Sequence, residues 1–82
     1  MSIKVYAGSL SRSTTEDELR EAFMPYGDVV SAMIVTDSKS RSIGFGFVEM
    51  STEEEALAAI AGLNGTELGG NTIKAEKART RR

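Results

Sequence analysis

The chain of 82 residues is long enough for one small domain with a modest core, and its composition argues against several classes of function. Cysteine and histidine do not occur in it, which excludes disulfides, thiolate metal sites and histidine-based acid–base catalysis. No apolar run approaches the roughly 20 residues of a membrane span, and the first residues lack the apolar stretch of a signal peptide. We therefore expect a cytoplasmic protein without membrane association that is not an enzyme and uses no cofactor or metal.

The first predicted element is a strand over residues 3–8, in which apolar and polar side chains alternate. Side chains two residues apart on a strand share a face, so Val5 and Ala7 are expected to point into the core. Lys4 and Tyr6 then point outward on the opposite face.

A helix is predicted over residues 15–25. Thr15 and Glu18 have the spacing of a capping box at its start, and Pro25 and Gly27 are typical of a helix end. Apolar residues recur at helical spacing and predict a buried stripe. The stripe consists of Leu19, Ala22, Phe23 and Tyr26.

Residues 29–36 are rich in β-branched side chains and predict a second strand, which a polar loop over residues 37–42 follows. In this strand, Met33 and Val35 are expected on the same face of the sheet as Tyr6.

The third predicted strand, residues 44–50, bears most directly on function because its two phenylalanines stand two residues apart. Phe45 and Phe47 share a face with Glu49, and alternation alone leaves open whether that face is core or surface. A buried unpaired carboxylate costs several kcal/mol, which argues for the surface. The first strand supports this choice, since pairing of the two strands brings the outward-facing Tyr6 beside both rings.

A second helix is predicted to start after Ser51 or Thr52 and to end at residues 64–65, an Asn-Gly pair. On the core-facing side of the preceding strand, Gly44 and Gly46 are expected to let a helix approach closely.

The Gly-Gly pair at 69–70 predicts a hairpin turn before a last strand over residues 72–77. Alternation in that strand places Ile73 and Ala75 in the core and Lys74 on the outer face. The expected core also includes Met24 and Met50.

The predicted order is βαββαβ, so the fold class is α+β: a ferredoxin-like sandwich with a four-stranded antiparallel sheet and two helices on one face. One domain is expected over residues 1–78, with a short basic tail at 79–82. The net charge of −2 hides an uneven distribution. Acidic residues concentrate on the two helices and basic residues at the end of the chain, which favours a polyanionic partner on the open side of the sheet.

Two segments carry a family resemblance. Residues 43–50 read Ile-Gly-Phe-Gly-Phe-Val-Glu-Met and residues 5–10 read Val-Tyr-Ala-Gly-Ser-Leu. They resemble the two signatures of the RNA recognition motif family, the longer of which is matched at five of its seven specified positions. The resemblance covers nearly the whole chain and is closest to short single-domain bacterial or organellar members. It implies single-stranded RNA binding in which Tyr6 and Phe45 each stack on a base, while Phe47 packs near the sugars.

Three positions depart from the family pattern. Ile43 stands where a phosphate-contacting Arg or Lys is usual, and Arg41 is a candidate to compensate for it. Ser9 replaces an Asn, which puts the local loop geometry in question. Met50 replaces an aromatic residue at a position that is expected to face the core.

The expected RNA-binding set joins the aromatic residues to basic residues that could reach phosphates or base edges. We interpret Glu49 and Glu76 as surface charges, with hydrogen bonding to base amino groups as the alternative. The set is Tyr6, Phe45, Phe47, Lys4, Arg41, Lys74, Lys77 and Arg79.

Two alternatives remain open from the sequence. Single-stranded DNA is one, because no residue identifies a reader of the ribose 2′-hydroxyl. A protein-binding module on the same fold is the other, since some relatives of the family bind peptides through their helices, typically with an aromatic residue in the loop before the last strand. That loop, residues 66–70, has no aromatic residue here. We expect a monomer.

Overall fold

The computed structural model describes residues 2–39 and 42–78. The chain begins with β1 and α1, runs through a short 3₁₀ turn into the β2–β3 pair, and ends with α2, a small hairpin and the last strand. The bounds are β1 (Ile3–Gly8), α1 (Glu16–Phe23), the 3₁₀ turn (Met24–Tyr26), β2 (Val29–Thr36), β3 (Ser42–Met50), α2 (Glu53–Leu63), β4 (Glu67–Leu68), β5 (Asn71–Thr72) and β6 (Lys74–Lys77). The predicted βαββαβ order is confirmed.

Two strand boundaries differ from the prediction. β3 begins at Ser42, two residues earlier than expected, because this last residue of the predicted polar loop already pairs with Thr36 of β2. The predicted last strand is divided, since Thr72 belongs to the β4–β5 hairpin and β6 starts at Lys74.

The four longer strands form one antiparallel sheet in the order β2-β3-β1-β6, which puts β1 and β3 at its centre. A hydrophobic cluster joins one face of this sheet to both helices, as the strand and helix periodicities predicted. Its buried members are Val5, Ala7, Leu10, Leu19, Phe23, Val48, Met50, Ala56, Ala59, Ile73 and Ala75.

The two methionines that were expected in the core have different environments. Met50 is fully buried, as predicted. Met24 is 55% exposed, so its assignment to the core was wrong. It follows the buried Phe23 by one residue, which is roughly 100° around a helix and therefore away from the buried stripe.

The capping box at the start of α1 is present. Thr15 Oγ1 accepts a hydrogen bond from Glu18 N at 3.1 Å, and the Glu18 carboxylate accepts one from Thr15 N at 3.0 Å. The helix ends before Pro25, earlier than predicted, because the chain tightens there into the 3₁₀ turn. At α2 the N-cap is Thr52.

Gly46 allows β2 to approach β3 closely, whereas the sequence predicted the close approach of a helix. A Cβ atom at this position would overlap the carbonyl oxygen of Met33 and lie 3.1 Å from Ile34 Cα, both in the backbone of β2. Gly44 has a φ of +97°, so backbone conformation explains the glycine there. The expectation that a helix packs on these two glycines was wrong.

Ser9, directly after β1, has a φ of +59°, in the left-handed region that side chains other than glycine rarely adopt. Asn tolerates this region because its short side chain can form local hydrogen bonds. The structure thus explains the Asn of the family signature.

We expect Ser9→Asn to raise the free energy of unfolding by about 0.5–1 kcal/mol, which is part of the cost of a left-handed residue. Urea denaturation would measure the change. Ser9→Ala, which offers no local hydrogen bond, is the control and should bring no gain. A midpoint of Ser9→Asn at or below that of the unmodified protein would contradict the expectation.

Candidate nucleic-acid interface

Three aromatic rings lie together on the sheet face opposite the helices. Tyr6 on β1 is directly opposite Phe47 on β3, and Gly8 is opposite Phe45. The ring centroids are 5.7 Å apart for Tyr6 and Phe45, 6.0 Å for Tyr6 and Phe47, and 6.2 Å for Phe45 and Phe47. All three side chains are partly exposed. The face that alternation and Glu49 predicted to be open therefore carries a contiguous aromatic surface.

Gly8 provides the space in which the Tyr6 ring lies. A Cβ atom at Gly8 would come within 2.7 Å of Tyr6 Cε2, so the ring rests against the bare backbone of its own strand. The ring is thereby held beside Phe45, with an interplanar angle of 37°. A small residue at position 8 thus contributes to the arrangement of the aromatic surface, a role that the sequence analysis missed.

Two lysines flank the aromatic surface on the same face. Lys4 is opposite Glu49 in the β1–β3 register, and Lys74 is opposite Gly8 in the β1–β6 register. Both side chains are exposed. Their positions are compatible with the phosphate contacts predicted for them.

A concavity of 440 Å³ lies between the aromatic surface and the end of β6. Its rim includes Ala78, whose backbone N–H donates to the Lys4 carbonyl at 2.9 Å and extends the β1–β6 ladder past the strand end. No pattern in the sequence predicts that Ala78 borders this concavity, because its backbone and not a functional side chain forms the rim. The lining residues are Tyr6, Phe47, Glu76, Lys77 and Ala78.

Lys77 borders this concavity, but its ammonium group is directed to the helix side of the sheet. In the register it is opposite the buried Val5, and its Nζ lies 2.8 Å from Glu53 Oε2 at the start of α2. Its charge is thus paired with Glu53 in this structure, and its predicted contact with RNA stays a prediction. Strand alternation is the reason, since Lys77 shares the parity of the buried Ala75.

The Lys77 ammonium lowers the pKa of Glu53, mainly by its hydrogen bond and also by its charge. A depressed carboxyl pKa contributes stability that is present above the unfolded value, near pH 4.3, and is lost as the pH falls through the folded value. We expect Lys77→Met to move the Glu53 pKa back upward. A carboxyl carbon NMR titration would measure this, with Lys39→Met as the control, and an unmoved Glu53 pKa would contradict the ion pair.

Arg41 and Arg79 lie outside the described residues, so their predicted contacts with RNA stay predictions. Ile43, at the position of the usual basic residue, is 46% exposed. Met33 is opposite Phe47 in the β2–β3 register and 51% exposed, which extends the apolar surface toward β2 as predicted.

Glu49 shares the open face and is held by two hydroxyl groups. The Ser2 hydroxyl donates to Oε2, and the Ser31 hydroxyl donates to Oε1 at 3.2 Å. These bonds, the Ser2 bond above all, and the charge of Lys4 hold the pKa of Glu49 below its ordinary value. Glu49 is thus negatively charged at neutral pH, although the neighbouring residues of the open face are suited to binding a polyanion.

Within residues 2–39 and 42–78, no helix is both long and apolar enough to cross a membrane. The same part of the chain contains no group of three or more acidic side chains placed to hold a metal ion.

The model of the RNA recognition motif family matches residues 5–74. The chain belongs to this family. It is 46% identical over 82 residues to glycine-rich RNA-binding protein 1 of Mycosarcoma maydis, and the match covers 99% of the chain and 47% of that protein. It is 41% identical over 80 residues to the putative RNA-binding protein RbpE of a Nostoc species, with 96% and 81% covered. The chain spans about half the length of several curated relatives that it matches.

Solved RNA recognition motif domains share the fold. The crystal structure of RNA binding protein PG1 superimposes with a TM-score of 0.92 at 37% identity, and the match covers 98% of each chain. The RRM of Rna15 with bound RNA (GU) matches with a TM-score of 0.84 at 28% identity, over 94% of this chain and 83% of that one.

Proposed function

We propose that this RNA recognition motif binds single-stranded RNA on its open sheet face and performs no chemistry on it. One observation carries the proposal: three partly exposed aromatic rings lie within 6.2 Å of one another on the face opposite the helices. Tyr6 and Phe45 each stack on a base, and Phe47 packs near the sugars.

The energetics explain why a small domain keeps such a surface. Leaving a large apolar side chain in water forgoes about 1.5–3 kcal/mol of burial. A base stacked on an aromatic ring contributes about 1–3 kcal/mol and tolerates many sequences. The exposed rings therefore lower the stability of the free domain, and the free energy of base stacking offsets this loss when RNA is bound.

Basic residues add the electrostatic part of binding. Lys4 and Lys74 lie on either side of the rings, where each can neutralise a phosphate and make affinity fall as salt rises. Arg41, Arg79 and the tail at 79–82 are proposed to act in the same way from outside the described residues.

The biological setting is part of the proposal. We propose a monomeric domain over residues 1–78, acting in the cytoplasm. Some relatives carry mitochondrial or chloroplastic in their names, so cell fractionation has to establish the compartment. Single-stranded DNA stays the alternative ligand.

An amide chemical-shift titration with short single-stranded RNA tests the proposal. We expect the largest shifts at Tyr6, Phe45, Phe47 and the strand end from Lys74. The same oligonucleotide as DNA is the comparison that separates the two nucleic acids. Shifts confined to α1 and α2, or none at all, would contradict the proposal and favour a protein partner.

A further inference from the structure

The carboxylate of Glu49 is out of place on a surface for a polyanion. It lies two residues beyond Phe47 on the same face of β3, roughly 6.6 Å along the strand. A phosphate at this point would meet a negative charge, so a different part of the nucleotide has to face it.

Residues from two segments hold this carboxylate in place. Ser2, just before β1, donates to one oxygen, and Ser31 on β2 donates to the other. A carboxylate has about four acceptor positions, so each oxygen keeps one for a ligand. Lys4, which is exposed and opposite Glu49, places a positive charge beside it.

An oriented, ionised acceptor beside a stacking surface is suited to read the edge of a base. Cytosine, adenine and guanine present exocyclic amino donors, whereas uracil presents carbonyl oxygens on both sides of its single N–H. A carboxylate accepts from the cytosine amino group and repels the uracil O4 that takes its place. Cytosine and uracil thus differ in the group that would face Glu49, which is an amino group in cytosine and a carbonyl oxygen in uracil.

We propose that Glu49, held by Ser2 and Ser31, selects a base with an exocyclic amino group and disfavours uracil at that position. This rests on the proposed binding of RNA to the open face and adds the base preference of that face. Single strands are commonly recognised through these exposed base edges.

The test compares oligocytidine and oligouridine of eight nucleotides by fluorescence anisotropy at one salt concentration. The two carry equal numbers of phosphates and rings of equal size, so the ratio of their dissociation constants isolates the base edge. We expect Glu49→Gln to reduce the preference for cytidine by about tenfold, the effect of one hydrogen bond to a charged group. The amide of glutamine can donate to uracil O4, which adds to the reduction.

Two further variants separate base reading from charge. Glu54→Gln on α2 makes the same change of net charge away from the sheet and should leave the ratio unchanged. Ser31→Ala keeps the charge but removes one hydroxyl that orients the carboxylate, and it should lower the ratio in part. Amide spectra of each variant establish that the fold is kept.

Two results overturn this inference and are distinguishable from failure of the proposed function. If Glu49→Gln strengthens binding to both oligonucleotides by the same factor, Glu49 acts only as a charge. If it leaves both affinities unchanged, Glu49 does not face the RNA. If the unmodified protein binds neither oligonucleotide, the proposed function itself is overturned along with the inference.

Discussion

Phe45→Ala is expected to weaken binding of single-stranded RNA by about tenfold or more while leaving the domain folded. The ring is partly exposed and lies 5.7 Å from Tyr6 and 6.2 Å from Phe47, so its removal takes away one stacking site. Loss of one stacked base costs about 1–3 kcal/mol of binding free energy. Loss of folding free energy should stay well below the 3–5 kcal/mol typical of a buried phenylalanine.

Fluorescence anisotropy with a labelled oligonucleotide would measure the affinity, and urea denaturation would measure the stability. Leu57→Ala is the matched control, because Leu57 is an exposed apolar residue on α2, away from the sheet. It should change neither quantity appreciably. If Phe45→Ala unfolds the protein, the ring has a structural role and the proposed binding surface is wrong.

Gly46→Ala is expected to lower the free energy of unfolding by about 2–3 kcal/mol, the upper part of the range for overpacking. The added methyl group would overlap the Met33 carbonyl oxygen, which is a backbone atom and cannot rotate away. β2 would have to separate from β3 at the point where Phe47 and Met33 face each other. The loss is large for a domain of this size, whose total stability should be roughly 4–12 kcal/mol.

Gly8→Ala is the matched control for this substitution. The atoms nearest to its methyl group belong to the side chain of Tyr6, which can turn, so stability should change less than in Gly46→Ala. RNA binding should fall instead, because the ring leaves its place beside Phe45. Equal stability of Gly46→Ala and the unmodified protein in urea denaturation would show that the two strands are not as close as described.

The order and facing of the elements were predictable because local patterns carry them. Strand alternation placed Val5 and Ala7 inside and Tyr6 outside, and the capping box marked the start of α1. The facing of Phe45 depended on one further consideration, the cost of burying Glu49. These effects act between residues that are close in sequence or within one strand.

The features that the sequence did not reveal have a different origin. The role of Gly46 depends on how closely the backbone of β2 approaches, and the partner of Lys77 is Glu53, 24 positions earlier in the chain. Neither is visible in a local pattern. The wrong assignment of Met24 to the core is different, because the local pattern was sufficient to avoid it. Helical spacing already places Met24 beside the buried stripe and not on it.

The sequence by itself determined the βαββαβ order, the family and the side of the sheet that stays open, because alternation and capping are local properties of the chain. Only the tertiary structure decided how the open face is arranged. It brought Ser2 and Ser31 to Glu49 and set the three aromatic rings 5.7–6.2 Å apart. The physical reason is strand register: it joins residues far apart in sequence, and the hydrogen bonding and packing of the whole sheet set it.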